Sequence, residues 1–448
     1  MLAQKNLTLL TDLYQLTMAQ SYFREQHFGD ATFSLFIRSY PLNRGYFVSA
    51  GLSDVLDYLE SFAFDRDAIE YLAAQKLFTE DFLRYLAALR FTGNVWAIPE
   101  GKIFFKDEPL LELTAPIIQA QIVETLIINQ LHLQTLIATK ASRCVHASGG
   151  RPVIDFALRR THGVDAGMKV ARASYLAGFA GTSNVMAGRD YGIPIVGTMA
   201  HSFVSSFERE IDAFRAYVAS FPDHAILLID TYDPLAGARN AVQVAKEMAG
   251  RGEKLIGVRI DSGDLAELAR RVKEIFISAN LPDVKIIGSG GLDEYDLAEF
   301  AETNTPFDSY GVGTKMGTSA EAPWTDMSYK LVEYQEQPVL KLSTGKISCP
   351  GRKQVFRSRN RLGIFERDVI GMRAEQLSGE TLLKEVMRDG RRTAPSASLT
   401  ESRDLFAAEF AALAPGVKTI RKPHPYTVEL SAKLHAIQAA VAEKYTAS

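Results

Sequence analysis

The chain has 448 residues, more than the ~250–300 that one hydrophobic core supports, so two domains or one enlarged domain is expected. Hydrophobic residues make up 47% of the chain and charged residues 23%, which is typical of a globular protein and excludes a disordered chain. The formal net charge of −3 gives no overall attraction to nucleic acid or to an anionic membrane, so an anionic ligand would need a local site.

The cysteine content and the apolar segments predict a cytoplasmic protein. Cys144 and Cys349 are too few for a disulfide framework and lack the paired spacing of a zinc site. The N-terminal segment MLAQKNLTLLTDLYQLTM lacks the basic stretch, the apolar core and the cleavage site of a signal peptide. Polar residues interrupt the apolar stretch 117–137, so we expect a buried helix there and no membrane span.

Short apolar runs alternate with amphipathic stretches in the middle of the chain, which is typical of a largely parallel sheet with helical connections. We predict six buried strands, each ending in polar residues or glycine: VIDFALRR, PIVGTMAH, AILLID, KLIGVRID, KIIGSGG and SYGVGT. The last five end at His201, Asp230, Asp261, Ser289 and Gly313, which are 29, 31, 28 and 24 positions apart. Each interval fits one strand plus one helix, and this regularity favours a barrel.

The two ends of the chain predict a second, mixed domain. Residues before about Leu126 combine helices with short strands such as ATFSLFIR, and the sequence after about Ala322 is again strand-like and rich in turns. The expected fold class is α/β, with an irregular TIM-like α/β barrel over 126–325 and a flanking α+β domain in which 326–448 packs back on 1–125. The basic stretch 351–361 is predicted to be an exposed hairpin edge.

Side chains at the carboxyl ends of barrel strands line the active site in such folds, so the polar strand ends are the first candidates. In GVRIDSGDL, Arg259, Asp261 and Ser262 lie where a strand gives way to a helix, a place suited to phosphate and to ribose hydroxyls. The alternative is that this segment only caps the helix, with Asp264 as N-cap. Glycine clusters at 288–291 and 311–314 form either anion-binding loops or ordinary turns. Because all three occur at successive strand ends, they predict a phosphorylated substrate.

Two further motifs carry candidate chemistry. His201 could act as a base, a proton shuttle or a nucleophile towards phosphate, although a structural histidine is the alternative, as it is for His162. DFALRRTHG offers the flat apolar ring of Phe156 and the guanidinium groups of Arg159 and Arg160. Consecutive residues of a strand face opposite sides, so we expect only Arg159 to reach the pocket.

Nine motifs, taken together in order and spacing over about residues 10–357, resemble the nicotinate phosphoribosyltransferase family. They are TDLYQLTM, TKASR, DFALRRTHG, GTMAHSF, DTYD, VRIDSGDL, GSGGLDEYD, GVGTKMGTS and KLSTGKISCPGRKQVFR. The resemblance implies a type II phosphoribosyltransferase fold and a homodimer with shared active sites, in which the segment 1–125 contributes to the partner's site. It further implies an enzyme that joins nicotinate to the ribose 5-phosphate of phosphoribosyl pyrophosphate, the first step of NAD synthesis from nicotinate.

The resemblance also assigns roles to particular residues. Phe156 and the Tyr14 of a partner chain would sandwich the pyridine ring, and Arg159 with Thr182 or Ser183 would lie near its carboxylate. The expected donor-binding residues are Lys140, Arg143, Arg259, Asp261 and Ser262, with Gly290, Gly291, Gly313 and Thr314 cradling the 5-phosphate. Lys140, Arg143 and Arg159 could also neutralise the charge that develops on pyrophosphate.

His201 occupies the position of the family's phosphorylated histidine, which couples ATP hydrolysis to the reaction. Mg²⁺ is expected to arrive with the donor and with ATP, without direct side-chain ligands. The sequence departs from the family at Ala157, where glycine is usual, and after Lys315, where it reads MGTSAEAP. The Ala157 methyl is expected beside the pyridine pocket, where it bears on the preference for the acid over the amide. The alternatives are nicotinamide phosphoribosyltransferase, quinolinate phosphoribosyltransferase and a non-catalytic phosphoribosyl-binding relative.

Overall fold

The computed structural model describes residues 7–342 and 348–446. Two segments named in the sequence analysis lie outside the described residues. Residues 1–6 begin the N-terminal segment that lacks the features of a signal peptide, and residues 343–347 belong to the KLSTGKISCPGRKQVFR motif. The chain divides into two compact units: the first contains Met1–Thr139 and Trp324–Ser448, and the second contains Lys140–Pro323. No helix in the described ranges combines the length and the apolar character that a membrane span requires.

The N-terminal part of the first unit alternates helices with short strands. Its helices are α1 (Leu13–Arg24), α2 (Leu52–Ser61), α3 (Arg66–Ala74), α4 (Glu80–Ala88) and α5 (Ile117–Ile122), and its strands are β1 (Asp30–Ile37), β2 (Phe47–Val48), β3 (Asn94–Ala97), β4 (Ile103–Phe104) and β5 (Leu111–Pro116). The boundary between the units falls within the next helix, α6 (Glu124–Ala147). Helices α5 and α6 confirm the helical prediction for 117–137.

The second unit contains the predicted succession of strands and helices. Its strands are β6 (Val153–Asp155), β7 (Gly181–Thr182), β8 (Ile226–Leu228), β9 (Gly257–Ile260), β10 (Lys285–Gly288) and β11 (Ser309–Val312). Its α-helices are α7 (Val164–Leu176), α8 (Val185–Tyr191), α9 (His201–Ser205), α10 (Glu210–Ser220), α11 (Pro234–Ala249), α12 (Leu265–Ser278), α13 (Glu294–Glu302) and α14 (Thr314–Gly317), and Leu158–Arg160 and Pro222–His224 form 3₁₀ turns.

The chain then returns to the first unit. The strands there are β12 (Met327–Tyr334), β13 (Gln337–Pro338), β14 (Lys353–Arg359), β15 (Phe365–Met372), β16 (Glu380–Thr381), β17 (Lys384–Arg388), β18 (Arg391–Arg392) and β19 (Val428–Leu430), and the helices are α15 (Leu399–Ala412), α16 (Pro415–Lys418) and α17 (Ala432–Thr446).

The first unit is built on a seven-stranded sheet in the order β13-β12-β1-β5-β3-β17-β18. Strand β1, predicted from ATFSLFIR, lies between two antiparallel neighbours, and residues 31–37 are buried because the strand is covered on both faces. Phe33 stacks on Tyr329 with ring centroids 4.6 Å apart, and Ser34 donates a 2.8 Å hydrogen bond to the carboxylate of Glu112. Strands from both ends of the chain therefore share one sheet.

The prediction for 351–361 is correct in the hairpin, which β14 and β15 form, and wrong in the exposed edge. Strand β14 has neighbours on both sides in the four-stranded sheet β16-β14-β15-β19, and its first five residues are buried. Arg357 tolerates burial because Asp368 accepts from its Nη2 at 2.6 Å and Glu409 accepts from its Nη1 at 3.1 Å. The guanidinium also lies over the ring of Phe365, 4.3 Å from the ring centroid.

The second unit contains six parallel strands in the order β7-β6-β11-β10-β9-β8. Because the strands are parallel, their carboxyl ends meet at one edge of the sheet. Helix α12 begins as predicted, with the Asp264 side chain accepting from the backbone N–H of Glu267 at 3.1 Å. The expected α/β fold class is confirmed, with a barrel-like parallel domain in mid-chain and an α+β unit built from both chain ends.

The strand predicted for PIVGTMAH is absent from this sheet. Within the described residues, this segment makes one isolated bridge, Ile195 to Thr182, and the side chain of Ile195 is 60% exposed. Pro194 has no backbone N–H to donate to a strand ladder. His201 consequently begins the short helix α9 instead of ending a strand.

Arg357→Ala is expected to lower the free energy of unfolding by about 3–5 kcal/mol, because the variant leaves the buried Asp368 carboxylate without its cation and removes one of the three cations that pair with Glu409. Urea unfolding of both proteins measures the loss. The matched control Arg361→Ala removes an exposed arginine and should change stability by less than about 0.5 kcal/mol. Equal stability of Arg357→Ala and the parent chain would contradict this account of the buried strand.

Candidate active site

One cavity of about 600 Å³ lies at the carboxyl-terminal edge of the parallel sheet, entirely within the second unit. Its wall is formed by residues that follow several strands: Phe156, Leu158, Arg159, Arg160, Ser183, Gly197, Thr198, Met199, Ala200, His201, Ser202, Arg259, Asp261, Ser289, Gly290, Gly291, Gly311, Gly313 and Thr314. Ten of the residues predicted to bind substrate or to react are in this wall: His201, Phe156, Arg159, Ser183, Arg259, Asp261, Gly290, Gly291, Gly313 and Thr314.

Arg259 and Asp261 occupy the end of β9 and the turn after it. The Nη2 of Arg259 donates to the carbonyl oxygen of Met199 at 2.9 Å, and its guanidinium lies 5.9 Å from the centroid of the Phe156 ring. Burial lowers the pKa of Arg259 from its ordinary value, but the group stays cationic at neutral pH. Arg259 therefore connects the segment before His201 with the part of the cavity wall that contains Phe156.

A chain of hydrogen bonds connects three strand ends beneath Asp261. Asp230, just after β8, accepts from the backbone N–H of Asp261 at 2.9 Å and from the hydroxyl of Ser262 at 2.6 Å. Ser289, just after β10, donates its hydroxyl to Asp261 Oδ1 at 2.5 Å. The Asp261 carboxylate is thereby fixed at the cavity wall, and Ser262 supports it from outside the wall.

The glycines of the two clusters permit close backbone approaches. Gly290 has φ of +98°, and a Cβ there would lie 1.8 Å from the carbonyl oxygen of Asp261. A Cβ on Gly313 would lie 2.8 Å from the carbonyl oxygen of Phe156. Any other residue type at these positions would displace the neighbouring backbone. The loops after β10 and β11 therefore expose backbone groups, and no side chain, to the cavity at Gly290 and Gly313.

His201 lies in the cavity wall with its ring partly buried. Its Nδ1 is 3.1 Å from the hydroxyl oxygen of Thr231, the residue after Asp230 in the DTYD motif. When Nδ1 carries the proton and donates to Thr231, the lone pair of Nε2 is available to an electrophile. The exposed His162, in contrast, does not line the cavity.

Both Arg159 and Arg160 line the cavity, so the prediction that only one of them reaches it is wrong. The strand alternation on which that prediction depended ends at Asp155, and Leu158–Arg160 forms a 3₁₀ turn. In a turn of three residues, consecutive side chains do not point to opposite faces of a sheet. The Nη1 of Arg160 donates to the hydroxyl of Thr314 at 3.3 Å.

Thr182, the alternative to Ser183 for the carboxylate, lies behind the wall. Its hydroxyl donates to Asp155 Oδ2 at 2.7 Å, and burial raises the pKa of Asp155. The methyl of Ala157 is also turned away from the cavity: a Cβ on Gly317 would lie 2.4 Å from it. The two departures from the family pattern therefore face each other, a small residue at 317 leaving room for the methyl at 157.

Lys140 and Arg143 are buried and do not line the cavity. Lys140 contacts the carboxylates of Glu294 and Glu321, and Arg143 donates from Nε to Glu294 at 3.1 Å. Burial alone would lower the pKa of Lys140, but its anionic surroundings, including Glu294 and Glu321, raise it. Glu294 opens helix α13, just after the glycines at 290 and 291, so this cluster secures the chain behind that loop.

Tyr14, the predicted ring-stacking residue of a partner chain, lies on α1 of the first unit. Tyr14 is 48% exposed. Three apolar residues near it in the sequence, Leu9, Leu10 and Leu13, are 38–56% exposed. Burial on its inner side and the carboxylate of Glu124 raise the pKa of Tyr14 to about 12, so it is neutral at physiological pH.

The sequence reasoning missed several wall residues, chiefly Thr198, Met199 and Ala200 before His201, and Ser202 after it. The strand predicted for this segment would expose only its end, so the strand pattern points to His201 alone. The signal available was the whole GTMAHSF motif, which contains all of them. Of the described wall residues, Arg159, Arg160 and Arg259 are permanently cationic and only Asp261 is a carboxylate, so the cavity suits a polyanion.

Comparisons with known proteins agree with this chemistry. Three family models match the chain: the nicotinate phosphoribosyltransferase N-terminal domain over 9–132, the nicotinate phosphoribosyltransferase family over 152–365 and the corresponding C-terminal domain over 372–438. The chain is 46% identical over 428 residues to a nicotinate phosphoribosyltransferase of Mycobacterium tuberculosis, covering 95% of this chain and 92% of that protein.

Two further proteins, one bacterial and one human, are similar to this chain. A nicotinate phosphoribosyltransferase of Bacillus subtilis is 39% identical over 388 residues, which cover 85% of this chain and 79% of that one. The crystal structure of human nicotinic acid phosphoribosyltransferase superposes with a TM-score of 0.87 at 29% identity, covering 96% of this chain and 99% of the human one. The chain therefore belongs to the nicotinate phosphoribosyltransferase family.

Proposed function

We propose that this chain transfers the phosphoribosyl group of phosphoribosyl pyrophosphate to nicotinate. The pyridine nitrogen forms a bond to the anomeric carbon, the bond from that carbon to the pyrophosphate oxygen breaks, and pyrophosphate leaves with the electron pair. The single observation that carries the proposal is the cavity of a family member in which three arginines, two glycine loops and Phe156 meet around one carboxylate. No protein nucleophile on the sugar is required.

The pyridine ring would stack on Phe156, and its carboxylate would pair with Arg159, whose guanidinium can donate two parallel hydrogen bonds. Ser183 offers a further donor in the same wall. The Ala157 methyl contacts the Gly317 position instead of the cavity and so gives no reason to favour the amide.

The donor would bind along the strand ends, with its ribose hydroxyls on Asp261 and its 5-phosphate on the glycine loops. Arg259 would face its phosphates. Lys140, Arg143, Thr182 and Ser262 stand behind the wall, and direct contact of these four with substrate stays a prediction.

Mg²⁺ would enter with the phosphates of the donor and of ATP, as the family resemblance implies. The residues present fit such a complex, since a single carboxylate, Asp261, lies in the described wall and the phosphates themselves would supply the oxygen ligands that Mg²⁺ prefers. Bound Mg²⁺ would neutralise the charge that develops on the departing pyrophosphate.

His201 would accept the γ-phosphoryl group of ATP on Nε2. A P–N bond forms, the bond between the γ-phosphorus and the bridging oxygen breaks, and ADP leaves; water later releases phosphate. Thr231, by accepting from Nδ1–H, would hold the tautomer in which Nε2 carries the lone pair. Two added negative charges in an arginine-lined wall can reorder the loops around the donor.

A homodimer would complete the ring site. Tyr14 and the exposed Leu9, Leu10 and Leu13 form an apolar surface on the first unit that another copy can cover, which would bring its ring to the pyridine of a partner. A cytoplasmic location, in keeping with two free cysteines, likewise remains a proposal.

Nicotinate should support turnover with a kcat/KM about 100-fold above that of nicotinamide, because the neutral amide loses the charge-assisted pair with Arg159. Pyrophosphate release with each pyridine, with and without ATP, measures both the preference and the coupling. A preference for the amide would overturn the acceptor assignment. Silence with both pyridines at saturating donor and Mg²⁺ would support a non-catalytic relative.

His201→Ala is expected to abolish ATP hydrolysis and phosphorylation of the protein while slow, ATP-independent transfer persists, because the donor-binding wall is left intact. Radiolabelled ATP and pyrophosphate release follow the two activities in parallel. His162→Ala, an exposed histidine outside the cavity, is the matched control and should behave as the parent chain. Full stimulation by ATP in His201→Ala would refute the phosphohistidine.

Gly290→Ala should raise the KM for the donor about 10-fold or more, because the new Cβ would collide with the Asp261 carbonyl in a strained backbone conformation. Gly192→Ala provides the control: Gly192 also has positive φ, at +68°, but no atom lies within 4 Å of its Cβ position. Similar donor KM values for the two variants would show that backbone strain alone, and not the close approach, explains the effect.

A further inference from the structure

The motif DFALRRTHG contains a second arginine to which the proposed function gives no role. Arg160 ends the 3₁₀ turn Leu158–Arg160, lines the cavity and has an exposed side chain. Its Nη1 donates to Thr314 Oγ1 at 3.3 Å. In the described part of the chain, Arg160 forms no ion pair with a carboxylate, so its charge is available to a ligand.

The position of Thr314 identifies the end of the cavity that Arg160 serves. Thr314 follows Gly313 on the loop after β11, where a Cβ on Gly313 would meet the carbonyl oxygen of Phe156. The loop after β10, with Gly290 and Gly291, forms the adjoining part of the wall. These are the two loops on which the 5-phosphate of the donor would lie.

The cation next to this loop already has carboxylate partners. Lys315, next to Thr314, pairs with Asp293 at 3.2 Å and with Asp296 at 3.3 Å. Arg259 donates to Met199. Arg159 lines the same cavity, and its positive charge adds to the larger effect of burial in lowering the pKa of Arg259.

We infer that Arg160 is the cationic partner of the donor's 5-phosphate and of the same phosphate in the product mononucleotide. This inference rests on the proposed function and extends it. A phosphate monoester carries up to two negative charges and two oxygens that match the guanidinium fork, while backbone N–H groups of the glycine loops serve the remaining oxygen. Arg160 thus selects phosphorylated over unphosphorylated ribose, whereas Arg159 selects the acceptor.

The test compares Arg160→Ala, Arg160→Lys and Arg189→Ala with the parent chain. Arg189 is an exposed arginine on α8 outside the cavity, paired with Asp190, and its variant should keep the parent kinetics. Arg160→Ala is expected to raise the KM for phosphoribosyl pyrophosphate about 10- to 100-fold with little change in the KM for nicotinate. Arg160→Lys keeps the positive charge but loses the forked guanidinium, so its KM for phosphoribosyl pyrophosphate should lie between those of the parent chain and Arg160→Ala.

Calorimetric titration with ribose 5-phosphate identifies which phosphate is bound, because this probe has no pyrophosphate and no pyridine. Arg160→Ala should weaken its binding by the same factor as it raises the donor KM. A raised donor KM with unchanged ribose 5-phosphate binding would assign Arg160 to pyrophosphate and overturn the inference. An effect confined to the KM for nicotinate, or no effect at all, would overturn it as well.

The parent chain separates this inference from the proposed function. If the parent releases no pyrophosphate with either pyridine, the proposed function fails. If the parent turns over and Arg160→Ala matches it in donor KM and in ribose 5-phosphate binding, only the role of Arg160 fails. Because Arg160 is exposed and is not part of a buried network, the variants are expected to fold as the parent does.

Discussion

The cavity depends on one hydrogen-bonded carboxylate chain across three strand ends. Asp230 holds the backbone N–H of Asp261 and the hydroxyl of Ser262, and Asp261 in turn accepts from Ser289. The approach of Gly290 to the Asp261 carbonyl is possible only because residue 290 has no side chain. These contacts tie the end of β8 to the residues after β9 and β10, and those residues present Asp261, Gly290 and Gly291 to one cavity, as substrate positioning requires.

Cations of the second unit divide into two groups with different roles. Lys140 and Arg143 are buried against Glu294, and Lys140 also pairs with Glu321, so these charges compensate one another inside the protein. Arg159 and Arg160 are exposed in the cavity wall, and their charges face the space that a ligand would fill. Sequence motifs alone do not distinguish these groups, because TKASR and DFALRRTHG both contain basic residues that are expected at an anion site. Burial and the position of Glu294 make the distinction.

The sequence predicted much of the wall through position at strand ends. Arg259, Asp261, Gly290, Gly313 and their neighbours follow short apolar runs, and parallel strands place such residues at one edge whatever the details of packing. His201 was found through its motif, although the strand expected before it is absent. Its segment is held by the Arg259 side chain instead of a strand ladder, and a side-chain contact between residues 60 positions apart leaves no periodic signal.

The sequence by itself determined the α/β class, the family and the order of the glycine loops, because hydrophobic periodicity and motif spacing are properties of the chain read in order. Tertiary structure alone decided that β14 is buried, that Lys140 and Arg143 stand behind the wall and that both Arg159 and Arg160 reach the cavity. Each of these outcomes depends on partners distant in sequence, such as Asp368 and Glu409 for Arg357 or Glu294 for Lys140. The sequence does not show whether a charged side chain is exposed to solvent or paired with a buried counter-ion, because the counter-ion is brought to it only by folding.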